Sequence, residues 1–283
     1  MNINWYPGHM KKTKELIQQN MKLVDVAIEV IDARLPFSSK NPQMDSLFSN
    51  KPKIIAINKI DLADPKILRE FQNEYREKGL RVVNINSITG EGTKELLREV
   101  QDAAQGLFEK LKRKGMKKRA VRLMVTGIPN VGKSSLINNL VGRKSARTGD
   151  KPGVTRGKQW VRIKKDIELF DTPGILWPKF DDQNTAIKLA LSGAIKDELI
   201  PFNEAARWLI SFLREHYSGA ISERYEGVDE SKSITDIIEE IGKKRGCILK
   251  GGVVDLDRAV YILIDDFRRG RLGKIVLDRL NRE

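Results

Sequence analysis

Arg122-Leu123-Met124-Val125-Thr126-Gly127-Ile128-Pro129-Asn130-Val131-Gly132-Lys133-Ser134-Ser135 is the stretch that decides the fold. Its first five residues read as a buried parallel strand, and the apolar segment from Ser134 to Leu140 reads as a helix. Between them stands Gly-x4-Gly-Lys-Ser. Gly127 and Gly132 allow the backbone to curl so that successive N–H groups converge on phosphate oxygens at the positive end of the following helix. Lys133 adds a point charge at the β- and γ-phosphates and is expected to act in catalysis. Ser134 can offer its hydroxyl to Mg²⁺. Asn130, Val131, Gly132, Lys133, Ser134 and Ser135 are therefore expected to line a nucleoside triphosphate.

Working outward, the informative neighbour lies upstream. Asn58-Lys59-Ile60-Asp61 ends another strand, Lys53 to Ile57, where an open α/β sheet presents its ligand loops. A carboxylate at Asp61 can accept the N1–H and 2-amino hydrogens of guanine, a two-donor edge that adenine lacks, so the pocket should prefer GTP and GDP over ATP. Asn86 and Ser87 follow a third strand and can support the base, whereas Asn58 and Lys59 belong to the same loop as Asp61. Downstream, Asp171-Thr172-Pro173-Gly174 ends the strand Ile167 to Phe170. There Asp171 and Thr155 are expected at the metal, and the Gly174 N–H is expected to report on the γ-phosphate. An ordinary GTP-binding domain opens with the phosphate loop and closes with the base-reading motif; here that order is reversed.

The strands Val26 to Ile31, Lys53 to Ile57, Val82 to Ile85, Arg122 to Thr126, Trp160 to Ile163 and Ile167 to Phe170 alternate with helical stretches at Pro65 to Lys78, Thr93 to Lys114 and Ser134 to Leu140. That alternation predicts a doubly wound, mainly parallel α/β sheet. Beyond Trp177 the pattern turns helical. Ala205, Trp208, Leu209 and Phe212, then Ile234, Ile237, Ile238 and Ile241, recur at helical spacing. The 283 residues are thus expected to divide into a GTPase domain over 1–178 and a smaller α-helical domain over 179–283. Lys110 to Arg119 holds seven basic residues in ten positions. It reads equally as a solvated join where the termini of an unpermuted domain would sit, or as a nucleic-acid contact.

A net charge of +14 favours a polyanionic partner. The single cysteine, Cys247, excludes an internal disulfide and a cysteine-built metal site, and it reads as a small buried hydrophobe. No apolar run has the length of a signal-peptide core or of a bilayer span, so the expected location is the cytoplasm, with no membrane partner.

Taken with Trp5-Tyr6-Pro7-Gly8-His9-Met10, Asp32-Ala33-Arg34-Leu35-Pro36, Lys250 to Asp255 and Asp266 to Gly273, these motifs resemble the circularly permuted GTPases of ribosome assembly over essentially the whole chain. The resemblance implies GTP hydrolysis coupled to late maturation of the large ribosomal subunit, with rRNA and ribosomal proteins as partners. It also implies a C-terminal domain similar to RNA-binding antiterminator modules and a chain that is monomeric when free. Ile175 stands where Ras-like enzymes carry a water-orienting glutamine, so slow intrinsic hydrolysis is expected. His9 is the residue that the resemblance offers as water-positioning; its other reading is a turn residue touching RNA. His216 lies on a helix and reads as packing or surface. In similar loops the Asn130 position helps hold K⁺, while its plainer reading is an asparagine suited to loop geometry.

Lys243, Lys244, Arg245, Lys250, Arg268, Arg269, Arg271 and Lys274 form a basic C-terminal set suited to RNA phosphates or to a solvated face. Loss of the γ-phosphate is expected to loosen 175–182 and re-aim the helical domain. The competing function is a GTP-gated RNA-binding module in which hydrolysis is incidental.

Overall fold

The computed structural model describes residues 15, 20–48, 51–117, 119–142, 160–164, 166–170 and 182–280. Six strands build one sheet: β1 (Val26–Asp32), β2 (Lys53–Asn58), β3 (Arg81–Asn84), β4 (Val121–Gly127), β5 (Trp160–Lys164) and β6 (Ile167–Phe170). Their spatial order is β3-β2-β1-β4-β6-β5, and every pairing is parallel except that of β5 with β6 at one edge. The chain runs outward one way from β1 and the other way from β4. The crevice beyond the carboxyl ends of these two central strands is consequently the topological switch point, where open α/β sheets bind ligands.

Side-chain alternation covers both faces. Ile54 and Ala56 of β2 join a cluster with Leu96, Leu97, Val100, Leu136 and Leu140, whereas Ile55 and Ile57 join Leu68, Phe71 and Tyr75 on the other side. The first set comes from α3 (Thr93–Ala103) and α5 (Lys133–Val141), the second from α2 (Pro65–Glu77). A short α1 (Pro42–Leu47) sets Met44 and Leu47 against Ala27, Met124 and Phe170. Helix α2 starts where Asp64 accepts Lys66 N–H at 2.8 Å, with Pro65 in its first turn.

The single helix expected from Thr93 to Lys114 is two, α3 and α4 (Gln105–Arg113). At Ala104 the N–H is shared between the carbonyls of Val100 and Gln101, which tightens the chain, and the poor helix former Gly106 follows. Helix α3 then keeps Leu96, Leu97 and Val100 in the core, while α4 has no fully buried residue and only rests Phe108 against it. The basic run beyond α4 reaches Arg119, which grips Asp25 with both Nη atoms at 2.6 and 2.9 Å just before β1.

The remainder is helical: α6 (Gln183–Leu191), α7 (Phe202–His216), α8 (Ala220–Arg224), α9 (Ile234–Lys244) and α10 (Leu256–Arg268). Side chains of Asp182, Ser233 and Asp255 cap α6, α9 and α10. Cys247 is fully buried. These helices do not make a separate core. Leu189, Leu209, Ile237, Leu263 and Leu277 belong to the same contiguous cluster as Val30, Leu123 and Leu136 of the sheet layer, and Val276 packs with Ile31 and Ile57. The boundary expected near 178 lies outside the described residues.

Candidate nucleotide site

Strand β4 runs directly into the glycine loop. At Gly127 (φ 147°) a Cβ would stand 2.4 Å from the Val30 carbonyl oxygen, and at Gly132 (φ 102°) one would stand 2.2 Å from Asn58 Nδ2. Only glycine fits either place. Gly132 is also the N-cap of α5, and with no side chain there the first N–H groups of the helix stay available to an anion. Lys133 is buried and donates from Nζ to the carbonyls of Gly127 (3.1 Å) and Ile128 (2.6 Å), so its ammonium lies inside the loop's curl. Val131 is buried beneath the loop, Ser135 is half-buried, and Ser134 is exposed at the helix start.

The base-reading segment is joined to this loop by side chains. Asn58, 1% exposed, donates from Nδ2 to Val131 O (2.7 Å) and Ser87 Oγ (3.0 Å), and its Oδ1 accepts Ser87 N–H (2.9 Å). Its amide thus pins three loops together. Asp61 is exposed, and its Oδ1 accepts Asn86 Nδ2 at 3.0 Å; Asn86 Oδ1 in turn accepts the N–H groups of Ile88 and Thr89. Asn139 of α5 donates to Ser87 O at 2.7 Å. The Asp61 carboxylate is therefore held at a fixed distance from the glycine loop.

Lys59 sits in the left-handed region (φ 63°) and donates from Nζ to Asn130 O at 2.8 Å and Asp32 Oδ2 at 2.9 Å. Asp32 closes β1 and takes Arg34 as a fork, Nε on Oδ1 at 3.0 Å and Nη2 on Oδ2 at 2.8 Å. Burial alone would raise the Asp32 carboxyl, but the charges of Arg34 and Lys59 outweigh it and hold the group well below the usual carboxylate range. Burial likewise pushes the Lys59 ammonium down, against the pull of Asp32. Neither Asp32 nor Arg34 was given a role at the site from sequence, although the segment Asp32 to Pro36 was among those that carried the family resemblance.

Asn130 (φ 56°) is exposed, and its Nδ2 donates to Gly193 O, just past α6, at 2.8 Å. The expected K⁺ ligand is thus tied through its amide nitrogen to the helical part of the chain. His9, Thr155, Asp171, Gly174 and Ile175 lie outside the described residues. Of the basic C-terminal set, Lys243, Lys244, Lys250 and Lys274 are exposed, although Lys243 pairs with Glu239. The arginines all have partners within the chain, while Arg269 and Arg271 remain exposed. Arg268 spans Ala190 O, Leu191 O and Asp197, Arg269 pairs with Asp265, and Arg245 and Arg271 converge on Asp266. Burial alone would raise the Asp266 carboxyl, but Arg224, Arg271 and Tyr225 hold it low. His216 packs its ring on Phe212 at 4.5 Å, the packing role expected of it.

A mainly parallel sheet with its base-reading loop ahead of its phosphate loop defines a circularly permuted P-loop GTPase. Two family models agree, one described as a 50S ribosome-binding GTPase over residues 122–248 and one as RsgA GTPase over residues 47–181. Ribosome biogenesis GTPase A of Bacillus pumilus is 41% identical over 279 residues, covering 99% of each chain. The Thermotoga maritima protein of that name is 31% identical over 98% of this chain and 94% of its own. The solved structure of GNP-bound YlqF from T. maritima superposes with a TM-score of 0.68 at 29% identity, covering 95% of this chain and 98% of that one. The chain belongs to the ribosome biogenesis GTPase A family and is a GTP hydrolase.

Proposed function

We propose that this chain binds the precursor of the large ribosomal subunit, through rRNA and ribosomal proteins, and hydrolyses GTP late in its assembly in a particle-stimulated manner. The observation that carries the nucleotide half is the convergence of Asp61, Asn86 and the Gly127–Ser134 loop around one crevice, cross-linked by Asn58 and Lys59. The ribosomal half is supported by the names of relatives that match the chain nearly end to end.

In this reading the N–H groups of the loop and Lys133 hold the β- and γ-phosphates, Asp61 selects guanine, and Ser134, Thr155 and Asp171 hold Mg²⁺. The exposed Ser134 hydroxyl at the helix start is free to serve as an Mg²⁺ ligand, and the ion would supply positive charge beside the phosphates. His9 orients the attacking water once the particle is bound, and K⁺ at Asn130 adds positive charge. The sheet part, 1–178, carries the chemistry; the helical part, 179–283, supplies the RNA contact through its exposed lysines. The free chain is a cytoplasmic monomer; no described helix is long and apolar enough to cross a membrane.

Single-turnover GTP hydrolysis with and without large-subunit particles tests the proposal, with an acceleration of at least 10³ expected, as for partner-supplied activation elsewhere. Equal rates would instead favour a GTP-gated RNA-binding module, the reading that Ile175 in place of glutamine supports. Equal rates in K⁺ and Na⁺ with particles present would remove the role given to Asn130.

A further inference from the structure

Among the described residues, the helical part meets the segments around the nucleotide loops at three places. Arg34, 1% exposed, sends Nη1 to the carbonyls that end α10, Arg268 O at 3.1 Å and Phe267 O at 3.5 Å, with its guanidinium 5.2 Å from the centroid of the Phe267 ring. The short turn Ile60–Leu62 that contains Asp61 is held from behind. Leu62 O accepts Ile275 N–H at 3.1 Å, and Gly270 lies so close that a Cβ there would stand 2.7 Å from Leu62 Cδ2. The third point is Asn130 Nδ2 on Gly193 O. Arg268 binds the two helical contact regions to each other, because it clamps the end of α6 from the end of α10.

We propose that the helical part forms the back wall of the guanine site, with Arg34 and Arg268 as positioning residues that set nucleotide affinity without touching nucleotide. The polar path is continuous: Arg268 and Phe267 carbonyls, Arg34, Asp32, Lys59, Asn130. Freed from those carbonyls, the Arg34 fork loses what fixes one of its three donors, and Asp32 and Lys59 then share a less constrained charge. A buried guanidinium is set by all its acceptors at once, so a change at one end reaches the other. Linkage makes the effect reciprocal: bound guanine nucleotide must tighten the contact between the helices and the loops by the same factor.

This rests on the nucleotide site proposed above, and the test separates the two. Release of a fluorescent GDP analogue is followed by stopped flow for the full-length protein and for Arg268→Met and Arg34→Lys, with Lys232→Met at a remote surface ion pair as control. In parallel, hydrogen exchange of residues 190–197 and 266–277 is measured with and without GDP. Expected are release about tenfold faster in both positioning variants, within the usual range of site coupling, unchanged release in the control, and GDP-dependent protection of both segments in wild type that the two variants lose. Release within twofold of wild type in variants that unfold cooperatively overturns the proposal. So does exchange in wild type that ignores GDP. Failure of the wild type to take up the analogue at all refutes the site itself.

Discussion

Lys59 and Asn130 are the only non-glycine residues with positive φ among the described residues, and they are bonded to each other, Nζ to carbonyl oxygen at 2.8 Å. Each strained backbone therefore sits at one end of the same hydrogen bond, between the base-reading and the phosphate loops. Conformations of this kind cost about 1–3 kcal/mol and persist where surrounding structure enforces them.

Lys59→Met removes that bond together with the ion pair to Asp32. Hydrogen bonds of charged groups contribute about 1.5–3 kcal/mol, so GDP affinity should fall by roughly 10- to 100-fold. Isothermal titration of folded variant and wild type measures the change, and an unaltered affinity would show that the loops hold their spacing by other means.

Asp61→Asn replaces an acceptor with a side chain that can also donate. GDP should bind at least about a hundredfold more weakly, because its two donors lose the carboxylate, while xanthosine diphosphate, with a carbonyl in place of the 2-amino group, should gain. Competition between the two diphosphates reads this directly; retained guanine preference would move base recognition elsewhere.

Gly132→Ala forces a Cβ to 2.2 Å from Asn58 Nδ2 and 3.0 Å from Ser87 Oγ at φ 102°. Relief requires breaking the Asn58 bonds that join the three loops. The expected loss is about 1–3 kcal/mol of stability with nucleotide binding abolished, measured by denaturant unfolding and by titration. A variant that binds GDP normally would contradict the close fit.

Asp32 gives a pH dependence of known sign. Its folded-state pKa is depressed below the unfolded value of about 3.9, so its contribution is complete above that value and is lost as pH falls through the folded value. Asp266 acts in the same sense. Unfolding free energy should decline below about pH 4, and Asp32→Asn should be less stable at neutral pH by about 3–5 kcal/mol while showing a flatter acid limb. Parallel acid limbs for variant and wild type would remove Asp32 from the account.

The motif residues were legible because their chemistry is local. A glycine loop between an apolar strand and a helix, or a carboxylate just past a strand end, depends on residues a few positions apart, and the six strands appear where their β-branched runs stand. The one misread element, the helix from Thr93 to Lys114, broke at the shared hydrogen bond of Ala104, where Gly106 was the sole propensity signal. The loop-joining bonds of Asn58 were illegible for a different reason: its partner Val131 lies far along the chain, and only packing brings Nδ2 within 2.7 Å.

From its residues alone the chain settled that it handles a guanine nucleotide on a permuted α/β sheet, since glycine, lysine and carboxylate at those spacings have few other uses. Tertiary structure alone decided what each polar group spends itself on. The C-terminal arginines face Asp197, Asp265 and Asp266, Arg34 joins the sheet to the end of α10, and Asn130 reaches Gly193. The physical reason is that a buried donor takes whichever acceptor the packed core sets beside it, and that choice is made across hundreds of residues.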